Sequence, residues 1–176
     1  MKRSSLFVYL ILIFPLFLLT FSSRVFAQNA KADLLDAQGK SVGIADFRQT
    51  PEGVQMVLSV SGLSAGPHGI HIHAIGQCTP PDFKSAGGHF NPEGKKHGIQ
   101  NSEGAHAGDL PNLKIGEDGT AEIDTILHQV SLEEGKDSLL QPEGTALVIH
   151  AAQDDEKTDP SGNSGDRIAC GVITRA

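Results

Sequence analysis

The chain has 176 residues, 14 basic and 21 acidic, for a formal net charge of −7; it carries two Cys, no Trp, one Tyr and eight His. That length suits one domain with a real core, and the acidic balance excludes a binder of phosphate backbones, so no nucleic-acid partner is expected. At 20% charged and 39% hydrophobic residues the composition is not that of a disordered chain; the surplus of His is the feature to explain.

Lys2 and Arg3 make a basic start, Leu6 to Phe21 is almost wholly apolar, and Val25-Phe26-Ala27 has the layout of a cleavage site. Residues 1–27 therefore read as a secretory signal peptide and 28–176 as the functional domain. An uncleaved membrane anchor is the rival reading, disfavoured because Leu6 to Phe21 falls short of the ~20 residues of a spanning helix. Ala30-Lys31-Ala32 is a second candidate cleavage site. No Cys follows the apolar run to carry a lipid, so no stable membrane association is expected after cleavage. Cutting after Ala27 removes Lys2, Arg3 and Arg24, leaving 11 basic and 21 acidic residues in 149, a net charge of −10. It also removes the only Tyr and five of the eight Phe. Phe47, Phe83 and Phe90 remain, so the core is expected to be aliphatic. Export to a periplasm or to the exterior places Cys78 and Cys170 in an oxidising compartment, where they most simply form one disulfide. Such a bridge stabilises by about 4–5 kcal/mol on the chain-entropy model. The alternative is two buried free thiols.

Short strands follow in order. Ala32 to Asp36 precedes the turn residues Gln38-Gly39. Ser41 to Gln49 comes next, with Val42, Ile44 and, by spacing, Asp46 on one face. Val54, Met56, Leu58 and Val60 then alternate with Gln55, Val57, Ser59 and Ser61, the period of a strand with one buried face. Gly69 to Ile75 alternates again. From Gly76 to Asn112 the chain turns irregular, with seven Gly and four Pro in 37 residues. A structureless stretch of that length inside a compact domain is usually functional or disordered. Leu113 to Ile115, Thr120 to Ile126, Thr145 to His150 and Ile168 to Thr174 complete the set, with a polar loop from Ala151 to Asp166. No helical period is sustained. The fold class is all-β, an antiparallel sandwich or barrel with two long loops.

The histidines concentrate where that pattern breaks. Six of the eight lie between His68 and His106, and His150 ends a strong strand. His71 and His73, two apart on a strand, project from one face, and imidazoles so paired suit a borderline transition metal such as copper or zinc. Alone the pair is weak, since solvent-facing or hydrogen-bonded rings fit it too. The irregular stretch adds His89, His97, His106 and Asp109, three nitrogens and one oxygen that suit tetrahedral zinc. Metal cross-links would order a loop that hydrophobic burial cannot; a disordered Gly/His-rich loop is the other reading.

His68-Gly69-Ile70-His71-Ile72-His73, Gly87-Gly88-His89-Phe90-Asn91-Pro92, His97-Gly98, His106-Ala107-Gly108-Asp109-Leu110, Leu147-Val148-Ile149-His150 and Arg167-Ile168-Ala169-Cys170-Gly171-Val172-Ile173, in that order, resemble copper–zinc superoxide dismutases. The match runs from about Lys31 to Ile173. The resemblance implies a Greek-key antiparallel barrel and dismutation of the superoxide anion to oxygen and hydrogen peroxide, with copper cycling between two oxidation states. It implies copper ligands His71, His73, His89 and His150, and zinc ligands His89, His97, His106 and Asp109, with His89 bridging. A bridging ring needs both nitrogens free of backbone hydrogen bonds, and Gly87-Gly88 leaves room for close approach. His89 is also expected to leave copper and carry a proton during turnover. Asp154 matches an outer carboxylate that accepts from His71 and His97, with a one-residue shift to Asp155 left open. His68 matches a packing position, His128 has no role in the pattern, and Arg167 matches a guanidinium that docks the anion beside copper. The Cys78–Cys170 bridge would tie the Arg167 strand to the loop after His73.

Two departures bear on function. The loop Ala151 to Asp166, which steers substrate in the family, here holds Asp154, Asp155, Glu156, Asp159 and Asp166 against Lys157 alone. Attraction then rests mainly on Arg167, helped by Lys157 or Lys95-Lys96, so weaker steering than in lysine-rich relatives is expected. Thr79 to Ala86 also differs from the segment that helps eukaryotic members dimerise, which leaves monomer and homodimer both open. The rival to the enzyme is an exported copper- or zinc-binding module without turnover.

Overall fold

A computed structural model describes residues 28–176; the signal peptide expected over residues 1–27 lies outside them. Among the described residues nine strands form: β1 (Asn29–Asp36), β2 (Ser41–Thr50), β3 (Gly53–Val60), β4 (Gly66–His68), β5 (Ile70–His73), β6 (Leu113–Ile115), β7 (Ala121–Leu127), β8 (Thr145–His150) and β9 (Arg167–Arg175). The helical content of the described residues is one 3₁₀ turn, Lys84–Ala86. Seven strands make one antiparallel sheet in the order β5-β8-β9-β1-β2-β3-β7, and β4 pairs with β6 beside it. β1, β2 and β3 are a meander. The chain then crosses to β4 and β5, returns to put β7 against β3, and crosses again to put β8 between β5 and β9. Those crossings are Greek-key connections.

Alternation makes the core. Ala30, Ala32 and Leu34 of β1, Val54, Met56, Leu58 and Val60 of β3, and Leu147 and Ile149 of β8 all turn inward and are buried. Phe47, Phe83 and Phe90 are buried as well, in a largely aliphatic interior. Within β2 the expected face is wrong for two residues. Val42 is buried, but Ile44 is 41% exposed, Asp46 faces solvent, and Ala45 and Phe47 point inward. The register explains it: Leu34 pairs with Gly43 while Leu35 pairs with Ser41, so Val42 is an extra residue and the parity changes across it.

Of the strand expected over Gly69 to Ile75, Ile70–His73 forms as β5, and Gly69 parts it from β4, a further short strand before the expected range. β4 pairs with β6 and β5 with β8. Gly69 N–H donates to Ala152 O, and Gly69 O accepts from His150 N–H, both at 2.8 Å. A Cβ here would stand 2.8 Å from Ser164 Cβ, so Gly is required for the loop to lie against the bend. Beyond it, Ile70 and Ile72 enter the core while His71 and His73 face away from it, beneath the two long loops. A third long connection, residues 128–144, was not distinguished in the sequence; it buries Val130, Leu132 and Leu139 against the main core.

Candidate metal centre

β5, β8 and the two loops bring together the histidines predicted as metal ligands. Ligand atoms of His71, His73, His89 and His150 all lie within 4.8 Å of one another. The hydrogen bonds show which nitrogen of each ring faces the group. His73 Nδ1 donates to Gly87 O at 2.9 Å and His150 Nδ1 to Gly165 O at 3.2 Å, and their Nε2 atoms approach to 3.4 Å. His71 Nε2 donates to Asp154 Oδ2 at 2.7 Å. The remaining nitrogens, His71 Nδ1 and His89 Nε2, are buried without a hydrogen-bond partner. Two orphaned imidazole nitrogens in one buried group are costly unless a cation takes their lone pairs. The residues therefore fit a soft-to-borderline metal held by four nitrogens.

A second group stands on the other side of His89. Asp109 Oδ1 lies 2.8 Å from His89 Nδ1, 3.0 Å from His97 Nδ1 and 3.2 Å from His106 Nδ1. His71 also comes within 4.8 Å of His89, His97 and Asp109, but its outer nitrogen is engaged by Asp154. Three Nδ1 atoms around one carboxylate oxygen fit the three-nitrogen, one-oxygen set of a zinc site. His89 thus offers one nitrogen to each group, and no backbone group competes for either. Of the two glycines expected to allow close approach, Gly87 does so, since a Cβ there would stand 3.0 Å from Ile75 Cδ1. Nothing stands within 4 Å of a Cβ built at Gly88, so Gly88 makes no close approach. Gly87, at φ +73°, also turns its carbonyl to two donors, His73 Nδ1 and Arg167 Nη2.

Asp154 is the carboxylate that spans the two groups: Oδ2 accepts from His71 Nε2 and Oδ1 from His97 Nε2 at 3.0 Å. Asp155 points elsewhere, accepting from the backbone of Lys157 and Thr158 and from Asn163. Asn112 holds the Asp154 backbone from both sides, accepting from its N–H and donating to its carbonyl at 2.8 Å each. His68 is buried with its ring nitrogens 2.7 Å from His150 O and 3.0 Å from Ser64 O, outside both groups. His128 is exposed, donating from Nδ1 to Glu52 O at 2.9 Å.

Burial and the neighbouring His rings push His73 down to about 2 and His150 to about 3. Burial also lowers His89, to about 4, against the opposing pull of Asp109. Burial pushes the Asp109 carboxyl up, but hydrogen bonds from His106 and His89 outweigh it and hold the group well below the carboxylate range. His73, His89 and His150 are therefore neutral and the Asp109 carboxylate ionised at neutral pH, the protonation states a metal requires.

Arg167 lies opposite His150 across a bulge between β8 and β9. Its Nη1 donates to Phe83 O at 2.7 Å and its Nη2 to Gly87 O at 2.6 Å. With His73, His89, His150 and Ser161 it lines an open cleft of about 360 Å³. Cys78 and Cys170 form the expected disulfide, Cα atoms 5.6 Å apart, joining β9 to the loop that supplies both carbonyls. The sequence offered no sign that Phe83 would hold Arg167, because the contact is made by its backbone carbonyl.

Comparison with known proteins agrees with this geometry. Residues 41–173 match the family model of copper/zinc superoxide dismutase (SODC). Superoxide dismutase (Cu-Zn) 2 of Aquifex aeolicus (strain VF5) is 48% identical over 155 residues, 86% of this chain and 91% of that protein. The superoxide dismutase-like protein YojM of Bacillus subtilis (strain 168) is 44% identical over 143 residues, 80% of this chain and 73% of that one. The crystal structure of a SOD-like protein from Bacillus subtilis superposes with a TM-score of 0.78 at 42% identity, covering 81% of this chain and 96% of that one. Fold, ligand chemistry and sequence likeness over most of the chain agree, and the chain belongs to the copper/zinc superoxide dismutase family.

Proposed function

We propose that the protein dismutates superoxide, two anions and two protons giving oxygen and hydrogen peroxide. The observation that carries this reading is His89, whose Nε2 faces His71, His73 and His150 while its Nδ1 meets Asp109, with a guanidinium in the same cleft. Copper would be held by His71 Nδ1 and by Nε2 of His73, His89 and His150; zinc would be held by Asp109 and Nδ1 of His89, His97 and His106. When bound, copper supplies reversible one-electron chemistry, and zinc, which has none, supplies a fixed positive charge. Arg167 attracts the anion and orients it toward His89 and His150 in the cleft. His89 Nε2 is the buried ring atom placed to hold a proton and deliver it to the reduced oxygen species, while Nδ1 stays anchored on the Asp109 side. Asp154 keeps His71 and His97 in one tautomer and orientation.

The Cys78–Cys170 bridge and the basic–apolar–small layout of residues 1–27 support export, cleavage of the signal and an extracytoplasmic location, periplasmic or secreted. No helix among the described residues is long and apolar enough to cross a membrane. Superoxide is the partner in this reading, and the protein works as a monomer or a homodimer. Purified mature protein loaded with both metals is expected to accelerate superoxide decay, and His150→Ala to abolish that acceleration. An unchanged rate in His150→Ala would exclude this site.

A further inference from the structure

Phe83 stands in an unusual conformation for its size. It is 1% exposed and adopts φ 51°, ψ 21°, the left-handed region that a bulky residue normally avoids. Its ring packs with Ala86, Ala146, Val148 and Cys170 in a small apolar cluster separate from the main core. Its carbonyl accepts from Arg167 Nη1 at 2.7 Å. The residue at the other end of the same 3₁₀ turn, Gly87, gives its carbonyl to Arg167 Nη2 at 2.6 Å. One turn thus offers two carbonyls, one to each arm of the guanidinium. Gly87 reaches its positive φ freely, whereas Phe83 reaches the same region only because something holds it there.

We propose that Phe83 is a positioning residue for Arg167: its buried ring pins the left-handed turn that aims the Phe83 carbonyl, and so fixes the guanidinium for anion capture. The proposal rests on the reading of Arg167 as the anion-docking group. A guanidinium has five N–H donors in a rigid fork, so two carbonyls on one side orient the donors left for the cleft. Neither carbonyl carries a full charge, so the grip directs Arg167 without neutralising it. The ring itself lies on the disulfide side of the turn and touches nothing that reacts.

The test uses mature protein loaded with copper and zinc, as wild type, Phe83→Ala, Phe83→Leu, Arg167→Ala and the two Phe83 changes each combined with Arg167→Ala. Two quantities are read: the second-order rate of superoxide decay, and the copper-induced ³¹P relaxation of inorganic phosphate, an anion probe that needs no turnover. Phe83→Ala is expected to lower rate and phosphate affinity by about tenfold with both metals retained, and Phe83→Leu by about two- to threefold. In the Arg167→Ala background neither change should cost anything further, because residues acting through one group are not additive. Full phosphate affinity in Phe83→Ala, or an equal loss with and without Arg167, would overturn the proposal. If Phe83→Ala does not hold both metals, Phe83→Leu carries the same comparison. A wild type that relaxes phosphate through Arg167 but leaves superoxide untouched would refute the proposed activity while the phosphate series still decides the role of Phe83.

Discussion

Asp154 links the two ligand groups through single hydrogen bonds, one from a ring on each side, and a backbone without a side chain makes room for it. A Cβ at Gly162 would stand 1.6 Å from Asp154 Oδ1, at a φ of +59° that already favours glycine. Gly162→Ala should push the carboxylate off His97 and weaken metal binding about 10–100-fold, the usual loss when such an outer partner is removed. Chelator competition measures it, and unchanged affinity would mean that Asp154 does not organise the centre. The histidines make a second prediction. Burial lowers His73, His89 and His150 to about 2, 4 and 3, against 6.5 in the ordinary ring. Between those values the unfolded chain binds more protons than the metal-free folded one, so stability is full above about 6.5 and is lost as the pH falls toward 4. The Tm of chelator-stripped protein should drop steadily over that window. A flat profile would contradict neutral burial of these rings.

At the scale of elements, β5 and β8 do the placing. Alternation sends Ile70, Ile72, Leu147 and Ile149 into the core and leaves His71, His73 and His150 on the opposite face, so the core that fixes the strands also fixes three rings. This was legible in the sequence, because period two is a local signal. The connection over residues 128–144 was not: Val130, Leu132 and Leu139 follow no period, and their burial comes from contact with strands distant in the chain. Its tether to β2 is equally non-local, Leu132 N–H donating to Gln49 Oε1 at 2.7 Å, while Thr145 Oγ1 donates to Leu139 O at 2.7 Å only six residues back. Leu139→Ala should therefore cost about 2–5 kcal/mol in denaturant unfolding, as for a strand residue. A loss below about 1 kcal/mol would show that the segment only lies on the surface. The Val42 bulge and the break at Gly69 escaped the sequence for a related reason, since each is set by the partner strand or loop rather than by its own residues.

For the whole molecule, an acidic protein must attract an anion. Some of the cations near Arg167 and on the zinc-side loop are compensated, Lys84 by Asp82 at 3.1 Å and Lys96 by Asp159 at 3.3 Å, while Lys95 and Lys157 make no ion pair among the described residues. Arg167 is held by carbonyls and makes no ion pair among the described residues. Capture then depends mainly on this one near charge, because the acidic excess of the chain leaves little attractive long-range field to screen. The association rate should fall less with added salt than in lysine-rich relatives; a rate that stays high and drops steeply would contradict this. The gathering of His and Asp side chains was legible because these residue types announce their chemistry. The grip on Arg167 was not, being made of backbone carbonyls that any residue carries. Superoxide decay followed by pulse radiolysis, on mature protein verified to hold one copper and one zinc, decides whether this site turns over. The expected result is decay far faster than with the metal-stripped protein and lost in His150→Ala. Full occupancy of both metals without faster decay would make the protein a metal-binding module and not an enzyme.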